Sequence, residues 1–279
     1  MPEGPEVKLS ADVIRPLIVG HICLDAIPSS TGRYRTDPPD GLECFNKSIC
    51  KTATRITEVK TKGKFMYWAF AYGWYMFNTY GMTGQWSEEK GKHPCVEFLL
   101  LERSGNQSRS HSLFFNDPRH FGTIRFTNSQ KELTDKLDEL GWDPLAEPFS
   151  DYKRFITNEL RSSKTMAELL MDQGIFAGVG NYIKSESLYR AKISPLRRGN
   201  SLNNQDIDLL CQSIVDVMQE SYQQNGATIQ TYQTVHGERG EYSDCFKVYG
   251  KKADPLGNPV RRQTTADKRS TYWCPAVQT

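Results

Sequence analysis

The chain has 279 residues, 38% hydrophobic and 24% charged, enough to bury a core and to divide into two or more domains. Thirty-five Lys and Arg against 33 Asp and Glu leave +2, which excludes a histone-like basic binder and an acidic solvating chain as descriptions of the whole molecule. Any polyanion site must be local. No run approaches the ~18 apolar residues of a membrane span, and Met1-Pro2-Glu3-Gly4-Pro5-Glu6 offers neither a basic n-region nor an apolar h-region. An intracellular protein without a membrane partner is therefore expected, its compartment open between nucleus, cytoplasm and viral factory. The 7 cysteines (Cys23, Cys44, Cys50, Cys95, Cys211, Cys245, Cys274) are scattered, with no C-x-x-C pair, so spacing indicates neither a disulfide framework nor a zinc site. They read as reduced thiols, mostly small core residues.

Along the chain, Val7, Ala11, Ile14 and Leu17/Ile18 recur at helical spacing and predict an amphipathic helix ending near Gly20. His21–Ile27 alternates, and Phe65–Phe70, Tyr75–Phe77, Val96–Leu101, Leu113–Phe115 and Thr123–Phe126 are short β-branched and aromatic runs, punctuated by Gly or by the polar tract Ser104–Ser110. An antiparallel sandwich or barrel follows. Leu133, Leu137 and Leu140 begin a helical pattern, Asp143–Pro148 resembles an interdomain connection, and helices dominate to about residue 225. Ile207, Leu210, Cys211, Ile214, Val215 and Met218 mark one buried helix face. The last forty or so residues return to short pieces around Gly250, Gly257 and Pro259 and are the most basic part of the chain.

Four constellations can carry chemistry. Loss of Met1 before a small residue would expose the secondary amine of Pro2, and an α-amino group with a pKa of roughly 7.7–8 is partly neutral near pH 7. Attack by a secondary amine on a sugar carbon gives an iminium that cannot shed an N–H proton, an electron sink for elimination. Glu3 can shuttle protons beside it, with Glu6 one helical turn on. Pro and Glu are equally favoured residues of any first helical turn. The second constellation, Gly178-Val179-Gly180-Asn181, opens a helix after the helical Met166–Asp172; its free N–H groups suit an anion, with Asn181 as a cap able to donate to a phosphate. It also fits a plain interhelical turn. The third is Lys64 on a strand edge, Met82 after Gly81, and Asp117-Pro118-Arg119-His120-Phe121-Gly122, where Arg119 and Phe121 on one tight loop could fill a gap in a base stack. Singly, each is equally a solvated charge or a core side chain. The fourth is the basic tail ending Lys268-Arg269-Ser270-Thr271-Tyr272-Trp273-Cys274-Pro275, a β-hairpin tipped by Arg that suits phosphate or minor-groove contact and equally a solvated hairpin.

Together, M-P-E-G-P-E-V, K-G-K-F, Y-G-M-T-G, D-P-R-H-F-G, L-L-M-D-Q followed by G-V-G-N-Y-I-K-S-E-S-L-Y and I-S-P, then V-Y-G and R-S-T-Y-W-C-P, resemble in kind and order the formamidopyrimidine-DNA glycosylase / endonuclease VIII family. The resemblance spans nearly the whole chain. It implies an α+β multidomain fold: an N-terminal antiparallel β-sandwich with an N-terminal helix (1–130), a linker (131–145), a helical helix-two-turns-helix domain (146–240) and a C-terminal β-hairpin finger (241–279), with DNA in the cleft between the main domains. It further implies a bifunctional glycosylase and AP lyase in which Pro2 forms the Schiff base, Glu3 is the general acid/base and Glu6 neighbours the site. Lys64 and Asn181, with Gly180 beside it, grip phosphates; Met82, Arg119 and Phe121 fill the void; Arg269 contacts the backbone; and Arg239 falls where a lesion-contacting loop would lie.

The C-terminus departs from zinc-bearing members. The first thiol pair is missing at Pro255-Leu256-Gly257-Asn258, and the second has become Cys274-Pro275-Ala276-Val277, so one thiol cannot make a tetrahedral zinc site. The segment resembles the zincless finger of the endonuclease VIII-like 1 branch, and no metal or cofactor is implied. Ala167 stands where bacterial members often carry a phosphate-binding Lys, which puts one contact in doubt. By resemblance the partner is damaged DNA, duplex with single strands left open, the protein a monomer, and the lesions oxidised pyrimidines and hydantoins ahead of 8-oxoguanine. Two rivals stay open at this point: a non-catalytic DNA-binding scaffold, and a tautomerase-like enzyme using an N-terminal proline as a base.

Overall fold

The computed structural model describes residues 2–105, 107–229 and 232–279, excepting the side chains of Cys50 and Ser104. The expected removal of Met1 concerns a residue outside this set. The chain resolves into two compact units, the first comprising Pro2, Glu6–Asp138 and Ala227–Gly240, the second Glu3–Pro5, Glu139–Gly226 and Glu241–Thr279.

Helix α1 (Gly4–Ile18), in the first unit from Glu6 onward, follows the predicted spacing, and Val7, Ala11, Ile14 and Ile18 are fully buried. Two four-stranded sheets, wholly antiparallel, follow. One has the order β1 (Ile22–Pro28), β6 (Pro94–Ser104), β7 (Gln107–Asn116), β5 (Gln85–Ser87); the other is β2 (Ile56–Lys62), β3 (Phe65–Phe70), β4 (Trp74–Thr79), β8 (Thr123–Thr127). Aromatic rings join the sheets: Trp68 of β3 lies 4.7 Å from Trp86 of β5 and 4.8 Å from Phe98 of β6, and Phe98 lies 6.0 Å from Phe126 of β8. All four are among the largest fully buried side chains of the unit. The expected sandwich is thus formed, with α1 contributing to its core.

Two sequence expectations need correction. The polar tract Ser104–Ser110, expected to separate strands, instead supplies the end of β6 and the exposed start of β7, with Ser104 paired to Gln107 and Leu101 to Ser110. Serines and an arginine on a solvent-facing strand end have no apolar partner to reveal the strand. Lys64 is not on a strand edge. It sits with Gly63 (φ 56°) in the two-residue turn linking β2 and β3, where the positive φ favours glycine. The structure also holds an element not predicted, α2 (Leu42–Thr52), which buries Leu42, Phe45 and Ile49 under β8 and β1.

After α3 (Gln130–Asp138), the second unit contains α4 (Phe149–Leu160), α5 (Met166–Met171), α6 (Asn181–Arg190), α7 (Asn204–Gln223) and the hairpin β9 (Arg261–Thr264) with β10 (Ser270–Trp273). Of the face predicted for α7, Ile207, Leu210, Cys211, Ile214 and Met218 are buried, whereas Val215 is only half-buried and Val217 is buried instead; the helix starts with an Asn203/Asp206 capping box. α6 is different: every residue from Tyr182 to Leu188 is buried, polar ones included. Arg190 at its end forms a bidentate pair with Glu220 of α7, 2.8 and 2.7 Å, holding that carboxyl below the ordinary glutamate range. Segment 143–148, expected as an interdomain connection, lies inside the second unit, folded by Trp142 Nε1 donating to Glu147 O and Leu145 N donating to Asp143 Oδ1. No helix among the described residues is long and apolar enough to cross a membrane. Of the cysteines, Cys23, Cys95, Cys211 and Cys274 are buried as expected and Cys44 and Cys245 exposed.

Candidate active site and nucleic-acid interface

The Gly178–Asn181 turn is shaped by its glycines. Gly178 takes φ 96°; its N–H donates to Gln173 Oε1 at 3.2 Å, and Gln173 Nε2 donates to Val179 O at 2.9 Å. The turn carbonyl Gly178 O accepts from Gly4 N at 2.9 Å, tying the start of α1 to it. Gly180 is then the N-cap of α6 but has no side chain to satisfy the helix's first N–H groups. Glu3 does this instead: Oε1 accepts from Tyr182 N at 3.0 Å and Oε2 from Ile183 N at 3.3 Å. The carboxylate is 2% exposed, so two backbone donors at the positive end of a helix offset its removal from water. A Cβ on Gly180 would lie 2.2 Å from Glu3 Cδ, so the carboxylate can occupy this position only against glycine.

Asn181 is therefore not the cap. It is the first helical residue, half-buried, and its Nδ2 donates to Ser270 O of β10 at 2.9 Å. The anion expected at this helix end proves to be the chain's own Glu3. Pro2, in the first unit, is buried. Glu6 is also buried, and its Oε1 accepts from Ala227 N at 2.8 Å, which pins the beginning of segment Ala227–Gly240 within the first unit. Tyr232 of that segment lies beside Glu6. Burial, then the charges of Glu6 and Tyr80, push its phenol pKa upward, and its hydroxyl has no hydrogen-bond partner among the described residues. Arg239 is exposed, just past the Thr234–Glu238 turn (Thr234 N to Glu238 O, 2.8 Å).

Met82, Arg119 and Phe121 come from two loops that touch. Gly81 (φ 59°) approaches so closely that a Cβ there would fall 2.5 Å from the Phe121 carbonyl carbon. Asp117, fully buried, organises both loops: it accepts from the Thr83 hydroxyl, from Arg119 N at 3.2 Å and from Gly122 N at 2.6 Å. The result is an exposed tip on which the Arg119 guanidinium sits 5.1 Å over the ring of Phe121, itself 53% exposed. A large apolar ring left in water this way is the informative exception to burial. Lys64 is half-exposed on the β2–β3 turn of the same unit.

The tail forms the expected hairpin, with Arg269 exposed at the tip end of β10. Helix α6 docks it. Asn181 holds Ser270, Lys184 reaches Asp267 at 2.6 Å, and Ser185 Oγ accepts from Tyr272 N at 3.4 Å. Glu186 accepts from the N–H groups of Lys247, Val248 and Tyr249 at 2.8, 3.0 and 2.7 Å. Desolvation raises the Glu186 pKa against these bonds. Lys184, Glu186 and Tyr232 were not singled out from sequence. The signal was the polar string Lys184-Ser185-Glu186-Ser187 in a helix with no apolar stripe, which implies burial by pairing.

The finger's two turns do not fit zinc. Cys274 is the single thiol. Asp254, facing it, already accepts from Leu256 N (3.0 Å), Asn258 N (2.8 Å), Asn258 Nδ2 (3.0 Å) and the Tyr189 hydroxyl (3.2 Å). A carboxylate with its lone pairs so occupied, beside one thiol, is no tetrahedral site. Among the described residues no three His, Cys, Asp or Glu side chains form a metal cluster.

The fold matches those of solved glycosylases. The MutM (Fpg) protein of Thermus thermophilus superposes with a TM-score of 0.81 at 29% identity over 99% of this chain and 98% of that one. A Lactococcus lactis Fpg variant, solved with Fapy-dG containing DNA, gives 0.85 at 25% identity over the whole of both chains. Family models for the formamidopyrimidine-DNA glycosylase N-terminal, H2TH and C-terminal domains match residues 1–124, 140–233 and 240–279. The formamidopyrimidine-DNA glycosylase of T. thermophilus is 31% identical over 285 residues, covering 100% of this chain and 98% of the relative. That of Desulfitobacterium hafniense is 31% identical over 291 residues, covering 100% of both. Fold and family models thus define an H2TH-type DNA glycosylase. The chain belongs to the formamidopyrimidine-DNA glycosylase / endonuclease VIII family.

Proposed function

We propose that this chain is a bifunctional DNA glycosylase and AP lyase of base-excision repair, acting on damaged DNA and removing mainly oxidised pyrimidines and hydantoins. The observation that carries the reading is Glu3, next in the chain to Pro2, with its carboxylate seated on two N–H donors of α6. The Pro2 nitrogen attacks C1′ and the N-glycosidic electron pair leaves with the base; the Glu3 carboxylate takes the proton that the Pro2 amine gives up and passes it to O4′ as the C1′–O4′ bond breaks, opening the sugar to the iminium. The resulting iminium acidifies C2′; loss of that proton expels the 3′ phosphate, and a second elimination expels the 5′ phosphate. Lys64 and Asn181 grip phosphates around the flipped nucleotide, and Arg269 contacts the backbone from the hairpin. Met82 and the stacked Arg119–Phe121 pair occupy the gap left by extrusion, whose unstacking cost of a few kcal/mol is smallest for a damaged base. Arg239 and Tyr232, on the segment anchored by Glu6, face the extruded base. A β-sandwich domain, a helix-two-turns-helix domain and a hairpin finger, in a monomeric protein, complete this reading.

The preference for pyrimidines rests on likeness to the endonuclease VIII-like 1 branch and on the hydrogen-bonded finger around Asp254. The second reading, formamidopyrimidine purines, is favoured by the likeness to the L. lactis protein bound to Fapy-dG containing DNA. A panel of defined lesions, each in duplex and single-stranded oligonucleotides, separates them. Thymine glycol, 5-hydroxyuracil, dihydrouracil and hydantoins are expected to be excised faster than Fapy-dG and 8-oxoguanine; the reverse order establishes the second reading.

A further inference from the structure

Lys184 is the only lysine among the fully buried residues described, with its side chain 0% exposed and that of its partner Asp267 5% exposed. A buried ion pair adds little net stability over apolar residues of equal volume, so its presence points to geometry. Asp267 lies in the turn Thr265–Arg269 that joins β9 to β10. Its Oδ2 takes the Lys184 ammonium at 2.6 Å, while Oδ1 accepts from the Thr265 hydroxyl and from Arg269 N at 3.4 Å. Thr265 N donates to Arg269 O at 3.0 Å and Lys268 N to Thr265 O at 2.8 Å, with Lys268 at φ 59°. The turn that aims Arg269 outward is therefore built around one carboxylate, and that carboxylate is held by one ammonium. Lys184 also senses both ends of the proposed machinery. Burial lowers its pKa, Asp267 and then Glu3 raise it, and Arg269 lowers it further.

We propose that Lys184 is a positioning residue: through Asp267 it sets the hairpin turn that delivers Arg269 to a DNA phosphate, from the same helix whose first N–H groups hold Glu3. This rests on the phosphate-gripping role of Arg269 proposed above. The test is the salt dependence of binding of the full chain to a duplex containing an uncleavable abasic analogue. Losing one phosphate contact flattens the slope of log K against log salt by about 0.9, so Arg269→Ala is expected to show that change. Lys184→Met is expected to show the same flattening, and Lys184→Met combined with Arg269→Ala no more than either alone. Asp267→Asn, which keeps the side chain's size but removes the charge that the Lys184 ammonium holds, is expected to give the same flattening by a second route if Lys184→Met does not fold. A role confined to stability would lower the melting temperature and leave the slope as in the native chain. That outcome, or additive losses in the double variant, overturns the inference while Arg269 keeps its role. A native slope in Arg269→Ala overturns both.

Discussion

Glu3→Gln is expected to reduce base excision by about 10²–10⁴-fold, the range over which a positioned general acid/base contributes. Gln keeps the size of the side chain but cannot shuttle a proton, and its NH₂ group would face a backbone donor where Oε2 now accepts from Ile183. The chemistry predicts an uneven loss. An abasic sugar already samples its open aldehyde, so Pro2 can attack it without help in expelling a base or opening a ring. Strand cleavage at a preformed abasic site should therefore fall much less than excision of thymine glycol. Single-turnover rates on the two substrates check this. Equal loss on both would mean that Glu3 serves to hold the N-terminus in place; no loss on either would remove it from the mechanism.

Gly180→Ala is expected to be nearly as damaging, although alanine is a good helix former and Gly180 has an ordinary negative φ of −127°. The reason is space. The added methyl would sit 2.2 Å from Glu3 Cδ and 2.4 and 2.5 Å from its oxygens, so the carboxylate must leave the end of α6. Two buried N–H groups then lose their acceptor, at about 1–3 kcal/mol of stability each. Excision should fall by at least about 10²-fold, comparable to loss of the carboxylate itself. A chain with native excision rates and a normal melting temperature would show that Glu3 works equally well elsewhere. Asn181 makes a useful contrast. Its side chain points to the hairpin, so its truncation should weaken DNA binding and leave the Glu3 seat intact.

Local patterns were legible wherever burial was one-sided or runs were strongly apolar. Phe65–Phe70 appears as β3 at its predicted bounds, and the α7 stripe from Ile207 to Met218 packs as its spacing requires. Helix α2 was missed although Leu42, Phe45 and Ile49 have helical spacing, because a short helix with polar neighbours, entered through Pro38-Pro39, carries a faint signal. The candidate site residues were named by motif. Their partners were not, since Glu3 meets Tyr182 across 179 positions and Lys184 meets Asp267 across 83. No window of sequence contains both members of either pair. The Asn181 cap was misjudged for the same reason: the usual local rule for Asn is overridden by a carboxylate arriving from the start of the chain.

The central claim is that the nitrogen of Pro2 becomes covalently joined to the sugar of damaged DNA. Borohydride reduction during turnover of a thymine glycol duplex, followed by proteolysis and mass mapping, tests it directly. The account predicts a stable adduct on a peptide beginning with Pro2, with the modification on that first residue. An adduct mapped to Lys64 or another lysine, or excision and cleavage proceeding with no trapped species, would contradict it.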